Sequence, residues 1–235
     1  MLLGGRSFIL KMRQTEAPEL PEVEFLCNQI ADELMVPVAN FYLINFEGDL
    51  VFVTENFMQH SKPMDLQHIY HFRDGSKHNC KDLIDIVARH AKRPYDVKIL
   101  VKTILFDSLI GNHDRHGRNL GFLVTPNQTM LAPIYDNVSY LSLESGNMLK
   151  ADYNPTGRIA TEHTEEPSMR DYVQELRKLG FKSEVDSFFT KLVVQRGIEK
   201  IEFLIENSFC SPFMKQALKK LIWKRYTELR NEYES

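Results

Sequence analysis

Cysteine, long apolar runs and net charge are all scarce in this sequence, and each scarcity removes a class of protein. The three cysteines, Cys27, Cys80 and Cys210, are far apart, odd in number and form no CxxC pair. That spacing excludes a disulfide framework and a zinc knuckle, and it suits reduced thiols in a cytoplasmic protein. No stretch approaches the ~20 apolar residues that span a bilayer. The opening "MLLGGRSFILKMR" is broken by Gly4-Gly5 and Arg6, without the long apolar centre of a signal peptide. We therefore expect no membrane association. A formal net charge of −3 gives no general attraction to nucleic acid or anionic lipid, so no direct nucleic-acid binding is expected. Internal repeats and low-complexity segments are absent. What remains, 235 residues of which 43% are hydrophobic and 26% charged, is an ordinary globular composition with room for one domain or two lobes.

Periodicity then orders the chain. "SFILK" (Ser7 to Lys11) reads as a strand. Pro21 and its acidic neighbours suit a helix start, and Val23, Leu26, Cys27, Ile30 and Leu34 repeat at helical spacing. "VPVANFYLI" and "LVFVTENF" flank "NFEGD" and predict a hairpin. The polar stretch from about Met58 to Asn79 reads as a connector. "CKDLIDIVARHAK" predicts a helix, and the apolar "YDVKILVKTILFDSLIG" predicts a core helix after Pro94. Two short strands, "LGFLV" and "MLAPIYD", follow around "TPNQT". Beyond Glu166 only helices are expected, at about 167–179, 183–194, 197–206 and 212–233. The fold class is α+β, with a small mixed front and a larger helical rear.

The densest polar chemistry lies in "GNHDRHGRNLGFL", Gly111 to Leu123. Asp114 is followed five positions on by Asn119. Asn119 leads into a hairpin that ends in Asp136, and a strand lysine, Lys11, precedes a glutamate-bearing helix upstream. Phosphoryl transfer needs these parts in this order: an aspartate to take or orient the acceptor's proton, an asparagine and a second aspartate for magnesium, and a lysine to offset phosphate charge. Singly each has an ordinary explanation, as a turn residue, a cap or a solvated strand end. Together, ordered around a hairpin, they point to phosphoryl transfer. His113 and His116 raise zinc as the alternative, because a spacing of three can share a helical face, but no third ligand stands at a recognised spacing. His116 reads as a brace for the loop, and His113 as structural or exposed.

"LIGNHDRHGRNLGFL" followed by "LAPIYDNVS" resembles the catalytic and metal-binding signature of the HipA-like serine/threonine kinases, the toxin kinases of bacterial toxin–antitoxin pairs. "VEFLCNQIADELMVPVANFYLI", "LVFVTENF" and "SFCSPFMKQALKKLIWKRYTEL" are similar to that family's helix, hinge and terminal helix. DRHxxN also occurs in phosphoinositide kinases, whose second metal motif usually continues Phe-Gly where this chain has Asn137. The resemblance implies a two-lobed protein-kinase-like fold, with a reduced N-lobe at 1–57 and a mainly helical C-lobe at 58–235. It implies ATP and Mg2+ as cofactors. Lys11 would contact phosphates, held by Glu24, with Glu22 the other candidate. Glu55 and Phe57 resemble the adenine hinge, and Tyr135 an aromatic beside the nucleotide. Asp114 would be the catalytic base, His116 an active-site histidine, and Asn119 and Asp136 the magnesium ligands.

The family places a β-hairpin with a glycine-rich loop ahead of the strand lysine. Ten residues before Lys11 are too few for two strands, their turn and the lysine strand, so that hairpin and the further N-terminal subdomain are expected to be missing, or supplied by a small partner. The function implied is transfer of the ATP γ-phosphate to a protein serine or threonine. By family resemblance the acceptor is an aminoacyl-tRNA synthetase and an antitoxin is a partner. The alternatives are a pseudokinase-like interaction module and a small-molecule or lipid kinase.

Overall fold

The computed structural model describes residues 2–3, 6–58, 64–72, 78–143 and 159–234. At the front, β1 (Leu2–Leu3), β2 (Arg6–Lys11), β3 (Phe41–Phe46) and β4 (Asp49–Glu55) form an antiparallel sheet in the order β1-β2-β4-β3. The β3–β4 hairpin turns at Glu47 and Gly48, with φ of 53° and 96°. Two successive positive φ values give the turn whose twist matches that of the strands it joins, and glycine takes one of them without cost. Leu2 pairs with Ser7 and Leu3 with Arg6. One two-residue strand thus pairs with the strand that carries Lys11, and among the described residues no two-stranded hairpin stands ahead of that strand, as expected of so short a lead.

Helix α1 (Leu20–Glu33) follows, with a proline in its first positions and Glu22 in its first turn. It is buried on nearly every side, because it lies between β3 and β4 and the rear helix α6 (Gly197–Glu206). Val23, Leu26, Cys27, Ile30 and Ala31 join the same core as the rear helices. A helix assigned by sequence to the front is thus also a wall of the rear.

That rear is organised on α3 (Pro94–Ile110), which touches α2 (Cys80–His90), α4 (Met169–Lys178), α5 (Lys182–Phe189) and α7 (Pro212–Glu234). Every residue from Thr103 to Ile110 is buried, as an apolar sequence without a polar face requires. α3 stops at Gly111, in the left-handed conformation with φ 71°. A Cβ there would lie 2.7 Å from Leu221 and 2.9 Å from Tyr140, so glycine serves both the turn and the close approach. α4 opens on a capping box between Ser168 and Asp171. The expected helix at 183–194 is α5 followed by a π-turn, Thr190–Val194.

The stretch read as a connector holds more order than its polarity suggests. β5 (Asp65–His68) pairs with β7 (Gly121–Val124), which pairs with β8 (Thr129–Leu131). A 3-10 turn covers Ile69–Phe72, and β6 (His78–Asn79) pairs in parallel with β9 (Ile159–Ala160). These strands are short and held by pairing with distant residues, which local periodicity does not register. No helix among the described residues is long and apolar enough to cross a membrane.

Candidate active site

Lys11, the last residue of β2, reaches under the sheet to two carboxylates. Its Nζ donates to Glu24 Oε1 at 2.8 Å and also to Asp136 Oδ1. Burial pulls the ammonium's pKa down, but the two carboxylates together outweigh it and leave Lys11 above its ordinary value. Glu24 is almost wholly enclosed, and burial pushes its pKa up to about 7 against the attraction of Lys11. Of the two helix glutamates weighed for this position, Glu22 is engaged elsewhere, by Arg13.

Gly111 directs the chain out of α3 into an irregular loop that carries Asp114, His116 and Asn119. Asn119 Nδ2 donates to the Asp114 carbonyl at 3.2 Å, and the Asn119 N–H to the His116 carbonyl at 2.8 Å. The loop is thus folded back on itself, with His116 Nε2 4.0 Å from Asp114 Oδ2. His113 and His116 do not share a helical face, since both lie beyond the end of α3. His113 packs edge-on against Tyr140 at 5.4 Å. Among the described residues no three His, Cys, Asp or Glu side chains gather to hold a metal, so the zinc alternative finds no third ligand.

The residue that joins this loop to Asp136 is one that sequence reasoning missed. Arg115 is 2% exposed. Its Nε and Nη2 donate to Asp107 on α3 at 2.9 and 2.8 Å, and Nη2 also to Asn137 Oδ1 at 2.7 Å. Nη1 donates to the carbonyls of Asn119 and Tyr135. Asn112 Nδ2 bridges Asp107 Oδ1 and the Asp136 carbonyl at 3.1 and 3.2 Å. Asn137 continues to Asn28, and Asn28 to the carbonyl of Glu24. One buried polar chain therefore runs from α3 through both loops to α1. Asp136 is held at φ 54°, left-handed for a non-glycine residue, and the fixed carbonyls on either side of its backbone account for that.

Two cavities meet at Asp136. One, of about 290 Å³, is lined by Ile9, Lys11, Glu24, Phe52, Phe57 and Tyr135 among others. The other, of about 540 Å³, is lined by Asp114, His116, Asn119 and Asp136, with Ala17 and Leu20 opposite. The Phe57 and Tyr135 rings are 6.0 Å apart in the first cavity. The Tyr135 hydroxyl donates to the Arg118 carbonyl at 3.0 Å, with His68 Nδ1 at the same distance. Glu55 also lines the first cavity, while its carboxylate accepts from Asn40 at 2.9 Å. Apart from Glu22, every residue given a site role in the sequence borders one cavity or the other.

A family model described as the HipA-like C-terminal domain matches residues 2–196. The chain belongs to that family. In structure this HipA-like chain is similar to the Helicobacter pylori proinflammatory kinase CtkA, with a TM-score of 0.76 and 20% identity over 100% of this chain and 93% of that one. It is also similar to a chain of the Shewanella oneidensis MR-1 toxin–antitoxin complex of HipA, HipB and operator DNA. There the TM-score is 0.67 and the identity 16%, over 95% of this chain and 58% of that longer one. At these identities the likeness establishes a shared fold, the mixed α/β fold of HipA and CtkA. No curated protein matches.

The oxygens beside Asp136 suit magnesium better than a softer metal. Asn119 commits its side-chain nitrogen to the Asp114 carbonyl, which leaves its oxygen, and Asp136 adds a carboxylate. Hard oxygen donors with few protein ligands are the set that magnesium accepts.

Proposed function

We propose that this HipA-like chain is an ATP- and magnesium-dependent kinase that transfers the γ-phosphoryl group to a serine or threonine of a protein. The observation that carries this reading is the convergence on Asp136 of the Lys11–Glu24 pair, the first cavity and the Asp114–Asn119 loop. The first cavity is at the lower end of the range for small-molecule sites, roughly 300–1,000 Å³. Its aromatic and aliphatic lining suits a purine, with residues 55–57 as the hinge. The second cavity is the place for the acceptor.

Residues 1–57 then act as a reduced N-lobe and 58–235 as the C-lobe, with the nucleotide between them. Magnesium held by Asn119 and Asp136 supplies charge neutralisation at the phosphates. Lys11 exchanges Asp136 for phosphate oxygens, and Glu24 keeps it oriented. Asp114 takes the proton of the attacking hydroxyl, and His116 limits the loop's freedom. Arg115 touches nothing that reacts; it positions Asp136 and Asn119 through their neighbouring carbonyls.

Asp114→Ala tests the assignment. A general base contributes about 10²- to 10⁴-fold, so transfer of labelled phosphate to protein should fall by that order in a variant that keeps its melting temperature. Undiminished transfer would remove Asp114 from the chemistry. As for partners, one structural neighbour was solved with the antitoxin HipB and its operator DNA, and we propose a small antitoxin-type protein as a partner here, in the cytoplasm.

One observation favours the second reading, a catalytically impaired interaction module. Leu3 pairs with Arg6, so only two residues join β1 to β2. Two residues carry at most two backbone N–H groups to offer a triphosphate. On either reading we expect ATP binding by the isolated chain to be weak and transfer slow.

A further inference from the structure

The outer side of the Asp114–Asn119 loop carries groups that line neither cavity and have no part in the chemistry above. The Arg118 guanidinium stands over the Tyr70 ring, 5.5 Å from its centre. Tyr70 is 39% exposed, and its ring lies 4.0 Å from that of His71 and 5.9 Å from that of His68.

The backbone beneath this shelf is fixed at three points. Tyr70 N–H donates to the Gly117 carbonyl at 3.1 Å, Arg118 N–H to His116 Nδ1 at 3.1 Å, and the Tyr135 hydroxyl to the Arg118 carbonyl at 3.0 Å. Gly117 makes the contact feasible, since a Cβ there would come within 3.0 Å of both the Tyr70 nitrogen and His78 Nε2. Arg118 is therefore a surface cation whose position is set in advance by stacking and by its own backbone.

Among the described residues Arg118 forms no ion pair, and the side chains gathered with it near His68 are two further imidazoles, His71 and His116. The acid on the same loop, Asp114, faces His116. An exposed guanidinium held over an aromatic ring is a receptor for carboxylate.

We propose that the shelf of Arg118, Tyr70 and His71 docks an acidic segment of the protein acceptor, beside the residue that enters the second cavity. The proposal rests on the kinase reading for its orientation. Arg118 immediately precedes the magnesium ligand Asn119, so glutamates near the phosphoacceptor are the ones that meet it.

The test measures binding first and transfer separately. A short fluorescein-labelled peptide, with one serine flanked by glutamates, is titrated with the full chain and followed by anisotropy. Its counterpart carries glutamine in place of each glutamate, and a single-stranded oligonucleotide serves as competitor. The acidic peptide should bind more tightly than the glutamine peptide. Arg118→Ala should weaken it about fivefold, the size expected of one partly exposed charge pair, and Tyr70→Ala should weaken it less. Arg89→Ala, an exposed arginine on α2, should change nothing.

Equal binding of both peptides, or an Arg118→Ala variant indistinguishable from the parent, would overturn the proposal. Displacement of the peptide by a more tightly bound oligonucleotide would overturn it in favour of nucleic acid. Magnesium–ATP binding, measured on the same preparations, reports on the kinase reading independently. Its loss with acidic preference intact would sink that reading alone, and the converse would sink the shelf alone.

Discussion

Arg115 donates to Asp107, Asn137 and two backbone carbonyls while almost fully out of water. Taking a guanidinium and a carboxylate from water costs several kcal/mol per ion, and the fully satisfied geometry offsets it. Removing one partner leaves the other charged and alone, so Arg115→Ala should cost about 3–5 kcal/mol, read as the shift of a denaturant midpoint at constant slope. A loss within the ~0.5 kcal/mol of ordinary surface changes would show that the chain of hydrogen bonds is not what holds the loops. Glu24 gives a second test at this scale. Its pKa rises from 4.5 to about 7 on folding, so between those values the folded chain binds more proton than the unfolded one. Its contribution to stability is therefore complete below about pH 4.5 and is lost as pH rises through 7, by at most about 3 kcal/mol. Glu24→Gln should flatten the decline of stability between pH 5 and 8, and identical slopes would contradict the assignment. The sequence exposed Lys11, Asp114, Asn119 and Asp136 because their order along the chain is itself the signal. It hid Arg115 and Asn137 because their partners are 8 and 109 residues away. One clue was present: Asp107 is the only charged residue in the buried half of α3, Thr103–Ile110, and a buried acid demands a cation.

Helix ends do much of the aiming. α3 delivers the chain to the site through Gly111, where both the left-handed turn and the contact with Leu221 and Tyr140 exclude a side chain. Gly111→Ala should cost at least the ~1–2 kcal/mol of a left-handed residue and lower the melting temperature by roughly 2–8 °C. An unchanged melting temperature would mean that the loop can leave α3 by another route. α1 is anchored to the rear helices by its apolar face and by Glu33, which accepts from Lys191 and Lys200 at 3.1 and 3.0 Å. Glu24 thus projects from a helix built into the rear core, which fixes the Lys11 pair in place. α1, α2, α3, the β3–β4 hairpin and the rear helices were legible from periodicity and turn chemistry, since each is long enough to repeat a pattern. β1, β5, β6 and β9 were not. Two to four residues carry no period, and what makes them strands is a neighbour elsewhere in the chain.

At the scale of the molecule, the front sheet and the helical rear share α1, and their two cavities share Asp136. Nucleotide on one side and acceptor on the other would then meet across a single carboxylate, whose backbone is pinned by Arg115 and Asn112 and whose side chain is held by Lys11. The family resemblance anticipated which residues gather at Asp136, and composition gave no sign of a disulfide framework or a membrane-spanning stretch. Neither identified an acceptor, because acceptor recognition lies in surface geometry such as that around Arg118. The most direct test of the account is calorimetric titration of magnesium–ATP into the purified chain beside Asp136→Asn. The account predicts weak, magnesium-dependent binding that the variant loses while keeping its fold. No binding by the parent chain, or equal binding by the variant, would contradict it.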